Sequence, residues 1–294
     1  MIRVRWPKLS SLLARQVRTS NAPLWALALV VVTVSGQAAD SDEWPLGRFQ
    51  YEVRRSAQPI GVHTVAVTAE GERFVVAVTE WLDVNGWYGS YCHRANRREV
   101  WSAGKLLRYD SAMVGACSGL VWGWDQVRNR KSCVWANDRT PIRISAQQTE
   151  GKLLIARHNL TTGASVTEAL DTTLSANFLN PRIREEPRVQ LLDPIIGEPR
   201  AMTILELGAE SIALPEQTVE TQKYQYTYLD DSTDTYYVWF NGEGLMVRMK
   251  NITDEVTFTL MPKARFAAQS GPSATNAACS QDFPPLIDIP GAGP

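Results

Sequence analysis

The chain has few of the residues, and none of the short motifs, on which most enzyme sites depend. Its 294 residues include only three histidines and four cysteines. It contains no GxSxG nucleophile elbow, no HExxH pair, no phosphate-binding loop and no dinucleotide-binding fingerprint. It also lacks a CxxC pair, so zinc ligands at the usual spacing are missing. The sequence therefore predicts no catalytic residues, no metal and no cofactor, and it leaves open whether the protein is an enzyme.

The chain also lacks an apolar run long enough to span a membrane. The longest run, Leu24–Val34, is about half of the roughly 20 residues that a transmembrane helix requires. Five basic residues and no acidic ones precede it, and the small residues of Ser35–Ala39 follow it. This pattern is typical of a secretory signal peptide, so we predict that residues 1–38 are cleaved after Ala38. An uncleaved membrane anchor is the alternative.

An excess of positive charge is absent from the rest of the chain. Cleavage removes five of the 30 basic residues and leaves 25 against 31 acidic residues, a net charge of about −6. A mildly acidic protein has no electrostatic reason to bind nucleic acid. No cysteine comes directly after the apolar run, which argues against a lipid anchor. We therefore expect a periplasmic or secreted protein with no stable membrane span after cleavage and no nucleic-acid partner.

The few cysteines are candidates for disulfides, because an exported chain meets an oxidising compartment. Four cysteines allow three complete pairings, and their spacing does not select one. We favour a bond between Cys117 and Cys133, which bracket a short tryptophan-rich segment. In the chain-entropy picture, closing a loop of that size contributes about 3 kcal/mol. Cys92 and Cys279 either pair with each other or stay free.

Long helical patterns are missing, and short segments of β-prone residues recur instead. Turn signals separate them, including Asn85–Gly86. The pattern predicts four hairpins: Ile60–Val67 with Arg73–Thr79, Glu99–Trp101 with Gly104–Tyr109, Ile142–Ala146 with Leu153–Arg157, and Ala201–Leu207 with Glu210–Leu214. We therefore predict an all-β fold, either a large antiparallel curved sheet or a half-open β-barrel or sandwich.

Composition sets the expected domain limits. Residues 39–265 form a single β-rich domain in this interpretation, and the residues 266–294, rich in glycine, proline, serine and alanine, form a disordered tail. The segment 170–188 has no period of two. It is either a simple connection or the site of a short helix near Leu174–Leu179.

The candidate acid–base residues are scattered along the sequence. His63, His93 and His158 lie far apart, and we interpret each as structural or surface. His93 follows Cys92, but neighbours on a strand point to opposite faces, so they make a poor dyad. The candidate carboxylates are Glu80, Glu99, Asp193 and Glu198. No pair of them has a spacing that indicates acid–base catalysis.

Aromatic residues are concentrated in two parts of the chain, residues 81–135 and 224–240. Such residues bring a large apolar area together with a polar tip. They either fill a β core or line a groove for an apolar or sugar-like ligand. Five residues are the candidate ligand-binding set: His63, Trp101, Tyr226, Tyr237 and Trp239.

Three motifs occur in a particular order: Gln58–His63 (QPIGVH), Glu99–Leu106 (EVWSAGKL) and Trp239–Leu245 (WFNGEGL). In this order the chain resembles, over residues 47–262, a family of exported bacterial proteins known as domain of unknown function 6134. The segment 112–140, with two of the cysteines, looks like an insertion relative to that family. The family brings no established catalytic residues. Its members look similar to the open half-barrels of periplasmic lipoprotein carriers, which implies a curved sheet with an apolar concave face.

The resemblance and the patterns together favour an exported, non-enzymatic binding or carrier protein for an apolar or lipid-like ligand. Two alternatives remain. The protein is an accessory or structural subunit of a cell-envelope complex with a protein partner, or it is a hydrolase or isomerase with an unrecognised site. A deep pocket with His63 or His93 beside a carboxylate would favour the last of these.

Overall fold

A computed structural model describes residues 44–86, 89–119, 142–159, 162–171, 174–194, 197–253 and 255–263. For 84–86, 89–92 and 114–119 it describes the backbone alone. All of these residues lie within the compact unit Ala39–Pro294. The predicted signal peptide, the tail from residue 266, and Cys133 and Cys279 fall outside the described residues, and so does the side chain of Cys117. The predicted disulfide is therefore among the features that the structure does not describe.

The described residues form fourteen strands and one short 3₁₀ helix, Pro181–Arg184. The strands are β1 (Gly47–Arg55), β2 (Gln58–Glu70), β3 (Arg73–Gly86), β4 (Gly89–Ser102), β5 (Lys105–Gly119), β6 (Ile142–Thr149), β7 (Lys152–Asn159), β8 (Ser165–Leu170), β9 (Arg188–Leu192), β10 (Pro199–Ala213), β11 (Thr218–Tyr228), β12 (Thr235–Asn241), β13 (Met246–Asn251) and β14 (Val256–Leu260). Among these residues no helix has the length and apolarity that crossing a membrane requires.

All fourteen strands belong to one antiparallel sheet. Its order is β8-β7-β6-β5-β4-β3-β2-β1-β14-β13-β12-β11-β10-β9. The first strand pairs with the last, so the two halves of the chain meet in the middle of the sheet. Within the described residues β8 and β9 are edge strands and do not pair with each other. The prediction of an all-β fold with a large, open antiparallel sheet is therefore confirmed.

Three of the four predicted hairpins are present, as β2–β3, β4–β5 and β6–β7. The fourth, Ala201–Leu207 with Glu210–Leu214, is wrong, because both segments belong to the continuous strand β10, which pairs with β11. Gly208 has a φ of 103° and lies where the register shifts. A glycine inside a strand marks a bulge as readily as a turn, and here it marks a bulge.

Two other parts of the sequence interpretation can be compared with the strands. For the described part of 170–188, the structure supports the alternative of a connection and not that of a helix near Leu174–Leu179. The short 3₁₀ helix begins at Pro181 instead. The Asn180 side chain accepts a hydrogen bond from the Arg182 backbone N–H, and a proline in the first turn is well suited to start a helix there. Of the predicted insertion 112–140, residues 112–119 continue β5 in register with β4, and residues 120–140 lie outside the described residues. The insertion stays a prediction.

One face of the sheet carries nearly all of the hydrophobic core. We call it the inner face, and it includes Tyr51, Val65, Val76, Tyr109 and Ile144. These residues share a face because directly opposed residues in an antiparallel sheet point the same way. A smaller cluster of Ile212, Trp239 and Val247 lies on the opposite, outer face.

The segment between β8 and β9 covers part of the inner face. We call residues 174–184 the plug. Leu179 and Ile183 are buried in the main core, and the Phe178 ring lies 5.0 Å from the ring of Tyr226. The plug also pairs with a neighbouring edge, through a parallel bridge between Ser175 and Leu192. The part of the inner face beneath the plug is therefore sealed from solvent.

Candidate functional site

A carboxylate on the inner face bridges two histidines. His63 Nδ1 lies 2.7 Å from Glu80 Oε2, and His93 Nε2 lies 3.2 Å from Glu80 Oε1. The strand register explains this grouping. His63 on β2 is directly opposite Glu80 on β3, and His93 on β4 is opposite Leu82, two residues further along β3. The three side chains are only 10–18% exposed, so the group is largely shielded from water.

The Glu80 carboxyl stays ionised at neutral pH. Burial alone raises its pKa, but the hydrogen bonds from His63 and His93 outweigh burial and hold the pKa well below its usual range. An ionised carboxylate only accepts hydrogen bonds, so both rings donate to it. In the neutral ring of His63 the proton therefore resides on Nδ1, which leaves a lone pair on Nε2.

The Nε2 atom of His63 has no hydrogen-bond partner among the described residues, since Glu80 is the polar group that this ring contacts. Aromatic rings hold the imidazole in place. The His63 ring lies edge-on to Phe258 at 5.5 Å and to Tyr51 at 5.9 Å. The Tyr51 hydroxyl in turn donates to the Met246 carbonyl oxygen at 3.0 Å. The ring of His63 is therefore oriented before any ligand arrives.

The backbone beside His63 leaves no room for a side chain. A Cβ on Gly61 would collide with the carbonyl oxygen of Trp81 on the neighbouring strand. The register between β1 and β2 also shifts next to this glycine. Gly61, part of the QPIGVH motif, therefore allows the close approach of β2 and β3 that brings His63 to Glu80.

The histidine group belongs to a cross-strand row of partly exposed residues on the inner face. We call it the His63 row, and its members are His63, Glu80, Ala95, Met113 and Ile142, each directly opposite the next. All five are half-buried, as is Leu82 beside them, whereas most of the inner face is fully buried. Solvent therefore reaches the inner face along a row that combines apolar side chains with a polar group.

A second polar group on the inner face is closed to solvent. Glu99 is fully buried, with Oε1 3.0 Å from Arg97 Nε. Its Oε2 accepts hydrogen bonds from Trp101 Nε1 and Asn177 Nδ2, both at 2.9 Å. Burial lowers the pKa of Arg97, but the charge of Glu99 and the neighbouring Tyr109 outweigh it and raise the pKa. The group anchors the plug to β4 through Asn177.

The five predicted ligand-binding residues are not brought into one site. His63 lies in the half-exposed row. Trp101 is fully buried against Trp44, with ring centroids 5.3 Å apart. Tyr226 is fully buried beneath the plug. Tyr237 and Trp239 lie on the outer face, because their register neighbours on β11 are Gln225 and Lys223 and not the inward-facing Tyr226.

Tyr237 and Trp239 have their own set of contacts on the outer face. Trp239 Nε1 donates to Glu210 Oε2 at 3.0 Å, and Lys223 Nζ lies 2.9 Å from the same oxygen. Lys223 Nζ also lies 4.8 Å from the ring centroid of Tyr237 and 4.9 Å from that of Trp239. The hydrogen bonds that Glu210 accepts from Lys223 and Trp239 lower its pKa. These contacts tie β10 and β11 to β12.

The remaining candidate carboxylates make structural ion pairs. Asp193 Oδ2 lies 3.2 Å from Arg200 Nη1, and the same nitrogen lies 3.1 Å from Asp234 Oδ2. The guanidinium of Arg200 also lies over the Tyr228 ring, 3.5 Å from its centroid. Glu198 pairs with Arg157. These pairs connect segments near the edges of the sheet.

The fold and this group together define a class of protein: a single, open antiparallel sheet with a histidine–carboxylate group on its inner face. Within that class, the chain belongs to the family Domain of unknown function (DUF6134), whose model matches residues 51–262. A search of the curated proteins found no match. Among solved structures, the chain is similar to a β-barrel-like protein of domain of unknown function DUF1849 from Brucella abortus. That comparison has 10% identity and a TM-score of 0.48, and it covers 72% of this chain and 93% of the other.

Proposed function

We propose that the protein is an exported, non-enzymatic binding or carrier protein for a lipid-like ligand, which it holds at the His63 row. The observation that carries this proposal is the partial exposure of Leu82, Met113 and Ile142 on a face where most apolar side chains are buried. Half-exposed apolar side chains beside a polar atom with spare hydrogen-bonding capacity are the elements of a small-molecule site.

The expected affinity follows from the area that such a site offers. A ligand that removes about 200 Å² of apolar surface from water gains roughly 5 kcal/mol. Before the costs of ordering the ligand, that gain corresponds to dissociation constants of roughly 0.1–1 mM. Additional contacts with the ligand's polar end raise the affinity. Binding assays should therefore extend to high micromolar ligand concentrations.

The direct test is to purify the protein from the periplasm and identify what it carries by native mass spectrometry and lipid extraction. A fluorescent apolar probe then measures binding by the wild type and by Leu82→Glu, which places a charge beside the His63 row. Leu205→Glu is the matched control, because Leu205 is 57% exposed and belongs to β10, outside the row.

We expect Leu82→Glu to weaken probe binding at least tenfold and Leu205→Glu to leave it unchanged. Equal binding by all three proteins would contradict the proposed site. Protein that is consistently empty and binds no probe would contradict the proposed function. A co-purifying envelope protein in place of a small molecule would support a role as a subunit of an envelope complex.

The geometry also favours a second candidate, a hydrolase in which His63 acts as a general base. The carboxylate–imidazole pair of Glu80 and His63 is the arrangement that orients such a base. No described serine, threonine or cysteine donates a hydrogen bond to His63, so water would be the nucleophile. A panel of short- and long-chain esters tests this candidate. Turnover that His63→Gln abolishes would support it, and no turnover by the wild type would exclude hydrolysis of these esters.

A further inference from the structure

We infer that the polar end of the ligand is a hydrogen-bond donor without negative charge, a hydroxyl or an amine, and that the site discriminates against carboxylates and phosphates. This inference rests on the proposed function and adds the chemistry of the headgroup. It follows from three features of the His63 row: the acceptor at Nε2, the charge beneath it and the apolar walls beside it.

The first feature is the hydrogen-bonding direction. His63 donates through Nδ1 to Glu80 at 2.7 Å, so its exposed capacity is the Nε2 lone pair. A lone pair accepts a hydrogen bond from a hydroxyl or an amine. An ionised carboxylate has no proton to donate. The lone pairs of its oxygens would face the lone pair of Nε2 and repel it.

The second feature is the charge of the inner face. The lowered pKa of Glu80 keeps its carboxyl ionised at neutral pH, and Glu99 forms an ion pair with Arg97. The guanidinium of Arg97 is committed to Glu99, with Nε 3.0 Å from Oε1, and to the hydroxyl of Tyr109. The Glu80 carboxylate is bound by the two imidazoles, and it lies directly behind the His63 ring. An anionic headgroup at Nε2 would face this carboxylate across one imidazole.

The third feature is desolvation. The edges of Tyr51 and Phe258 flank the His63 ring, and Leu82 lies beside it. A negatively charged headgroup that enters this environment loses water without gaining a counter-ion. A hydroxyl loses less hydration free energy than a charged group, and it regains a hydrogen bond by donating to Nε2. All three features therefore disfavour carboxylate and phosphate headgroups.

The test compares three probes with the same chain: decan-1-ol, decylamine and decanoate. Each displaces a fluorescent apolar probe from the wild type at neutral pH. We expect decan-1-ol to bind at least tenfold more tightly than decanoate. The amine arm shows whether the site accepts both kinds of donor or the hydroxyl alone. Glu80→Gln, which removes the charge and keeps the shape, should reduce the alcohol-to-carboxylate preference to threefold or less.

Glu72→Gln is the matched control. It makes the same chemical change in the exposed turn between β2 and β3, eight residues along β3 from Glu80, or roughly 25 Å at the rise of an extended strand. It should retain the full preference of the wild type. His63→Phe should weaken the binding of decan-1-ol and so reduce the alcohol-to-carboxylate preference below that of the wild type, because the acceptor is lost while the Glu80 carboxylate and the apolar wall remain.

The outcomes separate the two proposals. Displacement in which decanoate binds as tightly as decan-1-ol to the wild type overturns the headgroup inference and leaves the proposed function standing. A failure of all three probes to displace overturns both. The ratio of the wild-type affinities for decan-1-ol and decanoate tests the headgroup inference even if a variant does not fold. Circular dichroism identifies any variant that does not fold.

Discussion

Glu80 on β3 lies directly opposite His63 on β2, and its carboxylate oxygen is 2.7 Å from the Nδ1 atom of that histidine. The opposite carboxylate oxygen faces His93 on β4 at 3.2 Å. Three neighbouring strands thus contribute one residue each to a polar group inside an apolar face. We interpret that group as the polar end of a ligand site.

The first prediction concerns stability. Glu80→Ala removes the acceptor of two charge-assisted hydrogen bonds and leaves both imidazole N–H groups without it. We expect a loss of roughly 2–4 kcal/mol in the free energy of unfolding, measured by urea denaturation. Glu72→Ala, in an exposed turn, should change it by less than about 0.5 kcal/mol. Equal effects of the two substitutions would show that the buried Glu80 carboxylate stabilises the fold no more than an exposed one does.

The second prediction concerns acid. The pKa of Glu80 is held below its ordinary value of 4.5, so the folded protein favours the ionised form. The resulting stability is present above that ordinary value and is lost as the pH falls through the folded pKa. Compared with Glu80→Gln, the wild type should therefore lose its advantage in unfolding free energy as the pH falls below about 4. An advantage that stays constant or grows between pH 7 and pH 3 would contradict the assignment.

The third prediction concerns alkali. Burial raises the pKa of Tyr109 from 10.0 to about 12, and it raises the pKa values of Tyr51, Tyr226, Tyr228 and Tyr236 as well. Stability from these phenols is fully present below pH 10 and is lost as the pH rises through the folded values. Near-ultraviolet absorbance should therefore show at most four of the nine tyrosines ionising before the protein unfolds. Ionisation of all nine in the folded state would refute their burial.

The fourth prediction concerns the buried pair of Arg97 and Glu99. Glu99→Leu leaves a largely buried guanidinium without its partner and should cost about 3–5 kcal/mol in the free energy of unfolding. The double variant Arg97→Met with Glu99→Leu should be more stable than Glu99→Leu alone, because no unpaired charge remains. Urea denaturation of the three proteins measures both effects. A double variant that is less stable than the single one would contradict this explanation.

Much of the fold could be predicted from the sequence, because turn residues and β-prone runs report hairpins locally. The pairing of His63 with Glu80 could be predicted from the sequence for the same reason. The β2–β3 turn pairs Glu70 with Arg73, and the same register continues without a bulge to His63 and Glu80. The position of His93 beside Glu80 could not be predicted. A turn at Asn85–Gly86 would place it opposite Val78, whereas the strands continue to a pair of Gly86 with Gly89, two residues further on.

The faces of the aromatic strands could not be predicted, because alternation shows that two faces exist and does not show which one is inside. Tyr226 lies opposite Tyr236, so Tyr237 and Trp239 point to the outer face. The plug could not be predicted from the sequence either. Phe178, Leu179 and Ile183 pack by tertiary contact, and a segment without strand or helix periodicity gives no local signal of that role.

The most direct test of the ligand site is a methyl NMR titration of the wild type with decan-1-ol. We predict that the largest shift changes fall on Leu82, Met113 and Ile142, whose side chains line the half-exposed part of the inner face. Leu205, on an exposed stretch of β10, should not respond. Saturable changes at Leu205 with none at the three inner-face residues, or no changes at any methyl group, would contradict a ligand site at the His63 row.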